Sequence, residues 1–96
     1  MPPPLPWDVL IVGAGAAGVS LALQLGPGTR VAILAKAALD EGSSLYAQGG
    51  VAAVLAQDDS LQSHIEDTLV AGAGLCHRDA VQFVVREGPS VIRWLI

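Results

Sequence analysis

The 96-residue chain is 52% hydrophobic and 15% charged, with a formal net charge of −4. So little charge per apolar residue suits a segment enclosed by a larger protein, since a chain this short buries a limited share of its own surface. There is no basic stripe, and Gly, Pro or charge breaks each apolar run well short of a bilayer's thickness, which argues against nucleic acid and membrane as partners.

The opening residues, Met1-Pro2-Pro3-Pro4-Leu5-Pro6, lack the positive start and apolar stretch of a secretory signal, and residues 1–7 read as an extended proline-rich leader. Asp8 to Val12 is a short apolar run ending at glycine, the pattern of a strand buried on both faces in a parallel sheet. A glycine-rich turn follows from Gly13 to Gly18. Ala16 to Leu25 is rich in Ala and Leu and predicts a helix, which Gly26-Pro27-Gly28 stops. Arg30 to Ala35 predicts a second buried strand. The fold class is therefore α/β: a β-α-β unit, right-handed at its crossover, of the Rossmann-like kind.

Gly13-Ala14-Gly15-Ala16-Ala17-Gly18 matches G-x-G-x-x-G, and each glycine has a mechanical task. Gly13 permits the tight turn, Gly15 clears space for a pyrophosphate, and Gly18 lets the helix pack close to the sheet. The helix start then offers free N–H groups and a partial positive charge to phosphate. The motif follows a strand, opens a helix and leads to a second strand, the context that dinucleotide binding requires. It leaves FAD, NAD and NADP open. The acid that usually grips a ribose at the end of the second strand is replaced by Lys36, and Asp40 and Glu41 come several residues late. A lysine there suits the 2′-phosphate of NADP, and equally a solvated strand end.

Leu39 to Gly50 reads as a loop with a helical turn starting at Ser43 or Ser44. Val51 to Leu55 predicts a short strand, and Gln57 to Ser60 a turn with Asp59 or Ser60 as N-cap. Leu61, Ile65 and Leu69 recur at helical spacing with Glu66 and Asp67 on the wet side, until Gly72 and Gly74. Asp79 is expected to cap a further helix carrying Ala80, Phe83 and Val84. Gly88-Pro89 is expected to interrupt it, with Pro89 in the first turn of a restarted helix. The apolar run from Val91 to Ile96 has no stop signal and reads as a helix cut short. Cys76 is alone, which fits a reducing cytosol and a small buried apolar role. Arg30, Arg78, Arg86 and Arg93 read as solvated, and His64 and His77 as structural. No catalytic or metal-ligating residue is expected in this stretch.

Lys36 together with Glu41-Gly42-Ser43-Ser44-Leu45-Tyr46-Ala47-Gln48-Gly49-Gly50 resembles the succinate dehydrogenase/fumarate reductase flavoprotein superfamily. In that superfamily a lysine commonly ends the second strand and an A-Q-G-G segment lies along the flavin. The resemblance covers residues 8–96. The wording from Glu41 to Gly50 and the block from His64 to Cys76 make it specific to the L-aspartate oxidase family. It implies the N-terminal part of a FAD-binding domain whose remainder and capping domain lie elsewhere. It also implies FAD contacts from Gly13, Ala14, Gly15, Ala16, Ala17, Gly18, Lys36 and Ser43 to Gly50. Ser43 stands where covalent members carry the flavin-linking histidine, so the FAD is expected to be non-covalent. The implied reaction is the cytoplasmic oxidation of L-aspartate to iminoaspartate, with oxygen or fumarate as acceptor. This is the first step of de novo NAD biosynthesis, with quinolinate synthase as a partner. The competing readings are a soluble fumarate reductase- or succinate dehydrogenase-like flavoprotein, and a non-catalytic dinucleotide-binding module.

Overall fold

A computed structural model describes residues 1–4, 6–47 and 50–96. The chain divides into two compact units, Met1–Gly49 and Gly50–Ile96.

The first unit holds β1 (Val9–Val12), α1 (Ala16–Leu25), β2 (Val31–Leu34) and the short α2 (Ser43–Tyr46). The strands pair in parallel, Val9 opposite Val31 through Val12 opposite Leu34. Their ladder is closed at both ends. At one end the Asp8 N–H donates to the Arg30 carbonyl at 2.8 Å, and at the other the Gly13 N–H donates to the Leu34 carbonyl at 2.8 Å. The Arg30 guanidinium forks the Asp8 carboxylate, Nε to Oδ2 at 3.2 Å and NH2 to Oδ1 at 2.8 Å. Its own backbone N–H adds a third bond to Oδ2 at 3.0 Å. Arg30 is thus a bracket across the strand starts as well as a solvated residue. The guanidinium beside Asp8 holds that carboxyl below its usual range, while Asp8 raises the Arg30 value.

α1 runs over the predicted residues, from the N-cap Gly15 to the C-cap Gly26, whose φ of 77° few side chains tolerate. The Thr29 hydroxyl donates to the Leu25 carbonyl at 3.1 Å, satisfying one of the helix's free acceptors. One face of α1 lies on β1, where Ile11 is buried. Full burial of such a side chain contributes about 1.5–3 kcal/mol.

The second unit is a helical hairpin of α3 (Leu61–Ala71) and α4 (Arg78–Leu95), with Ile65 of one and Val85 of the other buried. Ser60 is the N-cap of α3, its Oγ accepting from the Ser63 N–H at 3.0 Å. Gly72 closes the helix, and Ala73 (φ 51°) and Gly74 (φ 86°) reverse the chain in left-handed conformations. Arg78 reaches back to Glu66 at 2.9 Å across the hairpin, which holds the Glu66 carboxyl below its ordinary range.

Three expectations are corrected here. Val51 to Leu55 forms no strand; it has no ladder partner among the described residues, and apolar composition alone does not make one. Asp79 is not the cap of α4. The helix begins two residues earlier, at Arg78 with His77 at the N-cap, and Asp79 lies in the first turn, where its negative charge still meets the helix's positive end. Gly88-Pro89 does not interrupt α4, which runs unbroken with Pro89 inside it. The Cβ of the residue before proline supplies part of the usual steric block, and Gly88 has none, although Pro89 still forgoes the hydrogen bond to the Val85 carbonyl. The Ser90 hydroxyl also donates to the Glu87 carbonyl at 2.9 Å, one turn back.

Candidate cofactor site

The site is built around the ends of β1 and β2. Gly13 leaves β1 with φ 114°, a conformation that an L-side chain would strain. Gly15 then caps α1 in extended conformation. A Cβ on Gly18 would collide with the Gly13 carbonyl oxygen and lie 3.2 Å from Ile11 Cγ2, so the close packing of helix on strand needs glycine here. For Gly13 and Gly18 these are the tasks that the spacing assigned.

The loop after β2 returns to this turn. A turn from Ala38 to Glu41 is closed by the Glu41 N–H donating to the Ala38 carbonyl at 2.9 Å, and α2 follows. Ser44 of α2 thereby reaches the start of α1, where its Oγ accepts the Ala16 N–H at 3.2 Å. A Cβ on Gly15 would sit 3.5 Å from the same oxygen. Residues separated by 28 positions in sequence thus meet where a phosphate is expected.

Two adjoining clefts result. One, of about 210 Å³, lies at the strand ends and is lined by Val12, Gly13, Ala14, Leu34, Lys36 and Glu41, with Ala35 between. The other, of about 260 Å³, runs past Ala14, Gly15, Glu41, Gly42, Ser44 and Leu45. Ala14 and Glu41 line both. Of the expected site residues, Gly13, Ala14, Gly15, Lys36, Ser44 and Leu45 therefore line the clefts. Ala16 presents its N–H, while Ala17 and Gly18 lie within α1. Ser43 and Tyr46 lie on α2 and Ala47 follows it. Gly50 belongs to the second unit. Gln48 and Gly49 lie outside the described residues. Glu41 lines both clefts although it comes several residues after the end of β2 in sequence.

The arrangement fits a dinucleotide cofactor. Gly13 and Gly15 keep side chains clear of the helix start, and the first turn of α1 supplies its remaining N–H groups and about half a positive charge. In the second unit, His64, Cys76 and His77 come to one cavity of about 410 Å³ whose other walls include Val81, Val84 and Val85. Among the described residues no group of three or more His, Cys, Asp or Glu could hold a metal ion. No helix among them is long and apolar enough to cross a membrane.

Residues 8–96 match the family described as FAD binding domain. The chain belongs to that family. Its cofactor is FAD, which decides among the dinucleotides that the glycine motif had left open. This FAD-binding segment is 55% identical to the L-aspartate oxidase of Yersinia pestis over 89 residues, 93% of this chain and 17% of that protein. It is 57% identical to that of Pseudomonas aeruginosa, again over 93% of this chain and 16% of the relative. Among solved structures it is similar to the FrdA chain of E. coli quinol fumarate reductase, with a TM-score of 0.83 and 35% identity. That match covers 93% of this chain and 16% of FrdA. The chain spans about a sixth of the length of the curated relatives it matches.

Proposed function

We propose that the chain is the FAD-holding segment of an L-aspartate oxidase, an enzyme that oxidises L-aspartate to iminoaspartate in the cytoplasm as the first step of NAD biosynthesis. The observation that carries this reading is the meeting of Ser44 with the start of α1. It joins the glycine turn to the loop whose wording is specific to that family, and relatives more than half identical bear that name. FAD, when bound, supplies the hydride acceptor, and oxygen or fumarate takes the electrons onward. The chain's own residues hold and orient. α1 presents its N-terminal N–H groups to the pyrophosphate, and Gly13 and Gly15 keep side chains out of its way. Residues Ser43 to Ala47 lie along the flavin, and Ser43 has no imidazole to link to it. Selection of aspartate falls to residues outside this segment, so residues 1–96 alone are expected to show no turnover. Quinolinate synthase, as the enzyme that would use iminoaspartate, is the proposed partner.

The test is the full-length protein with FAD, assayed for oxidation of L-aspartate and of succinate under the same conditions. Aspartate-dependent bleaching of the flavin supports the reading. Oxidation of succinate but not aspartate would favour a fumarate reductase-like enzyme, which the likeness to FrdA makes the second reading. Flavin bound with neither substrate oxidised would favour a non-catalytic module.

A further inference from the structure

In a β-α-β dinucleotide site the pyrophosphate lies at the helix start and the adenosine ribose lies at the end of the second strand, normally gripped there by a carboxylate. Here that strand, β2, ends at Leu34 and is followed by Ala35 and Lys36, so the usual position carries no acid. Yet the cleft at the strand ends does contain one carboxylate, and it is Glu41. The turn from Ala38 to Glu41 folds the chain back far enough to bring it there. Asp40, its neighbour, lines only the second cleft. Sequence distance from β2 therefore misjudges Glu41, and the path of the loop corrects it.

We propose that Glu41 is the ribose-binding residue of this site, accepting hydrogen bonds from the vicinal hydroxyls of the adenosine ribose of FAD. The assignment rests on the FAD reading above and deepens it. Its chemistry is suitable. A carboxylate accepts at about four lone-pair positions, and the Tyr46 hydroxyl, donating to Oε1 at 2.9 Å, uses one of them. That bond steadies the side chain and leaves Oε2 free for the diol. Lys36 lines the same cleft but forms no ion pair with Glu41 among the described residues, so the carboxylate is not already engaged by it. A carboxylate at this point also repels a ribose 2′-phosphate, which turns the cleft against NADP even though a lysine stands beside it.

The experiment uses the full-length protein stripped of flavin, and reads binding by the change in flavin fluorescence rather than by turnover. The ligands are FAD, an FAD analogue lacking the adenosine 2′-hydroxyl, and FMN, which has no adenosine. Glu41→Gln should weaken FAD about tenfold, the scale of a hydrogen bond to a charged group in an open cleft. It should leave FMN unchanged. Wild-type protein should prefer FAD to the deoxy analogue by a similar factor, and Glu41→Gln should lose that preference. FAD affinity within about twofold of wild type in the variant overturns the assignment, being less than one such bond. So does a preference for FAD over the deoxy analogue that survives the substitution. A parallel loss of FMN affinity also overturns it, because Glu41 would then act only through Tyr46 and the loop. A wild-type protein that holds no flavin overturns the FAD reading and this assignment together. A flavoprotein indifferent to Glu41→Gln overturns this assignment alone.

Discussion

Replacing Gly18 by alanine tests whether the contact of α1 with β1 sets the cofactor turn. In a solvated helix the change would gain about 1 kcal/mol from helix propensity. Here the new Cβ falls on the Gly13 carbonyl oxygen, and 3.2 Å from both the Gly13 carbonyl carbon and Ile11 Cγ2. Two of these three atoms are backbone, so no rotamer change relieves the overlap. α1 must back away from β1 by about 1 Å to restore ordinary carbon contacts near 3.5–4.0 Å. Overpacking of this kind costs about 1–3 kcal/mol. Set against the propensity gain, the expected net is a loss of up to about 2 kcal/mol. The same displacement moves the start of α1, the proposed pyrophosphate site, so FAD affinity should fall about tenfold or more, the value of one hydrogen bond to a charged phosphate. Urea denaturation of the flavin-free full-length protein gives the first quantity and fluorescence titration with FAD the second. Gly28→Ala is the control, since a Cβ there meets nothing within 4 Å and φ is not positive. It should be neutral or stabilising by up to about 1 kcal/mol. A Gly18→Ala protein as stable as the control, with unchanged FAD affinity, would refute the reasoning.

Acid precipitation of the full-length protein should release its flavin to the supernatant, because Ser43 offers no covalent link; flavin retained in the pellet contradicts this. Gly72→Ala should destabilise the hairpin, as its Cβ would collide with Cys76 Sγ and lie 3.2 Å from the Thr68 carbonyl oxygen. Adding Cys76→Ala should restore part of the loss, and denaturation midpoints that show no coupling between the two changes would count against the contact. Asp8→Asn tests the bracket through pH. The Asp8 carboxyl is held below its usual range by Arg30, so the pair's stabilisation is present above the ordinary aspartate pKa of about 3.9 and is lost as pH falls through the lowered folded value. The stability advantage of wild type over Asp8→Asn should therefore be present at neutral pH and shrink in acid. An advantage that grew on acidification would have the wrong sign.

The β-α-β unit was legible because its signals are local. Strand, glycine turn, helix and stop each depend on neighbouring residues, and α1 runs over the predicted range. β1 and β2 differ from prediction at their ends and in burial, since Leu10, Val12 and Leu34 are exposed where strands buried on both faces were expected. The glycine positions of the site were legible for the same reason. What could not be read was set by contact between distant residues. Nothing in the sequence shows that Arg30 forks Asp8, that Ser44 meets Ala16, or that Glu41 reaches the cleft between the strand ends. The strand expected from Val51 to Leu55 failed because a strand needs a partner, which composition does not provide. α4 runs through Gly88-Pro89 although Pro89 offers no N–H; the glycine before it removes only the Cβ part of proline's steric block.

The Asp8–Arg30 bracket lies at the opposite end of the strands from the glycine turn, yet it has a say in the site. Asp8 and Val12 are four residue steps apart, about 13 Å at the usual rise. Over that span the two strands behave as a short stiff ruler, clamped at one end by a charged fork and read at the other by the cofactor. If the fork let β1 slide by one residue, Ile11 would turn outward and the glycine turn would shift with it. A substitution at Arg30 can thus weaken FAD binding without approaching FAD, by disturbing alignment instead of contact. Variants of this chain are better sorted by whether they disturb the ruler than by their distance from the flavin.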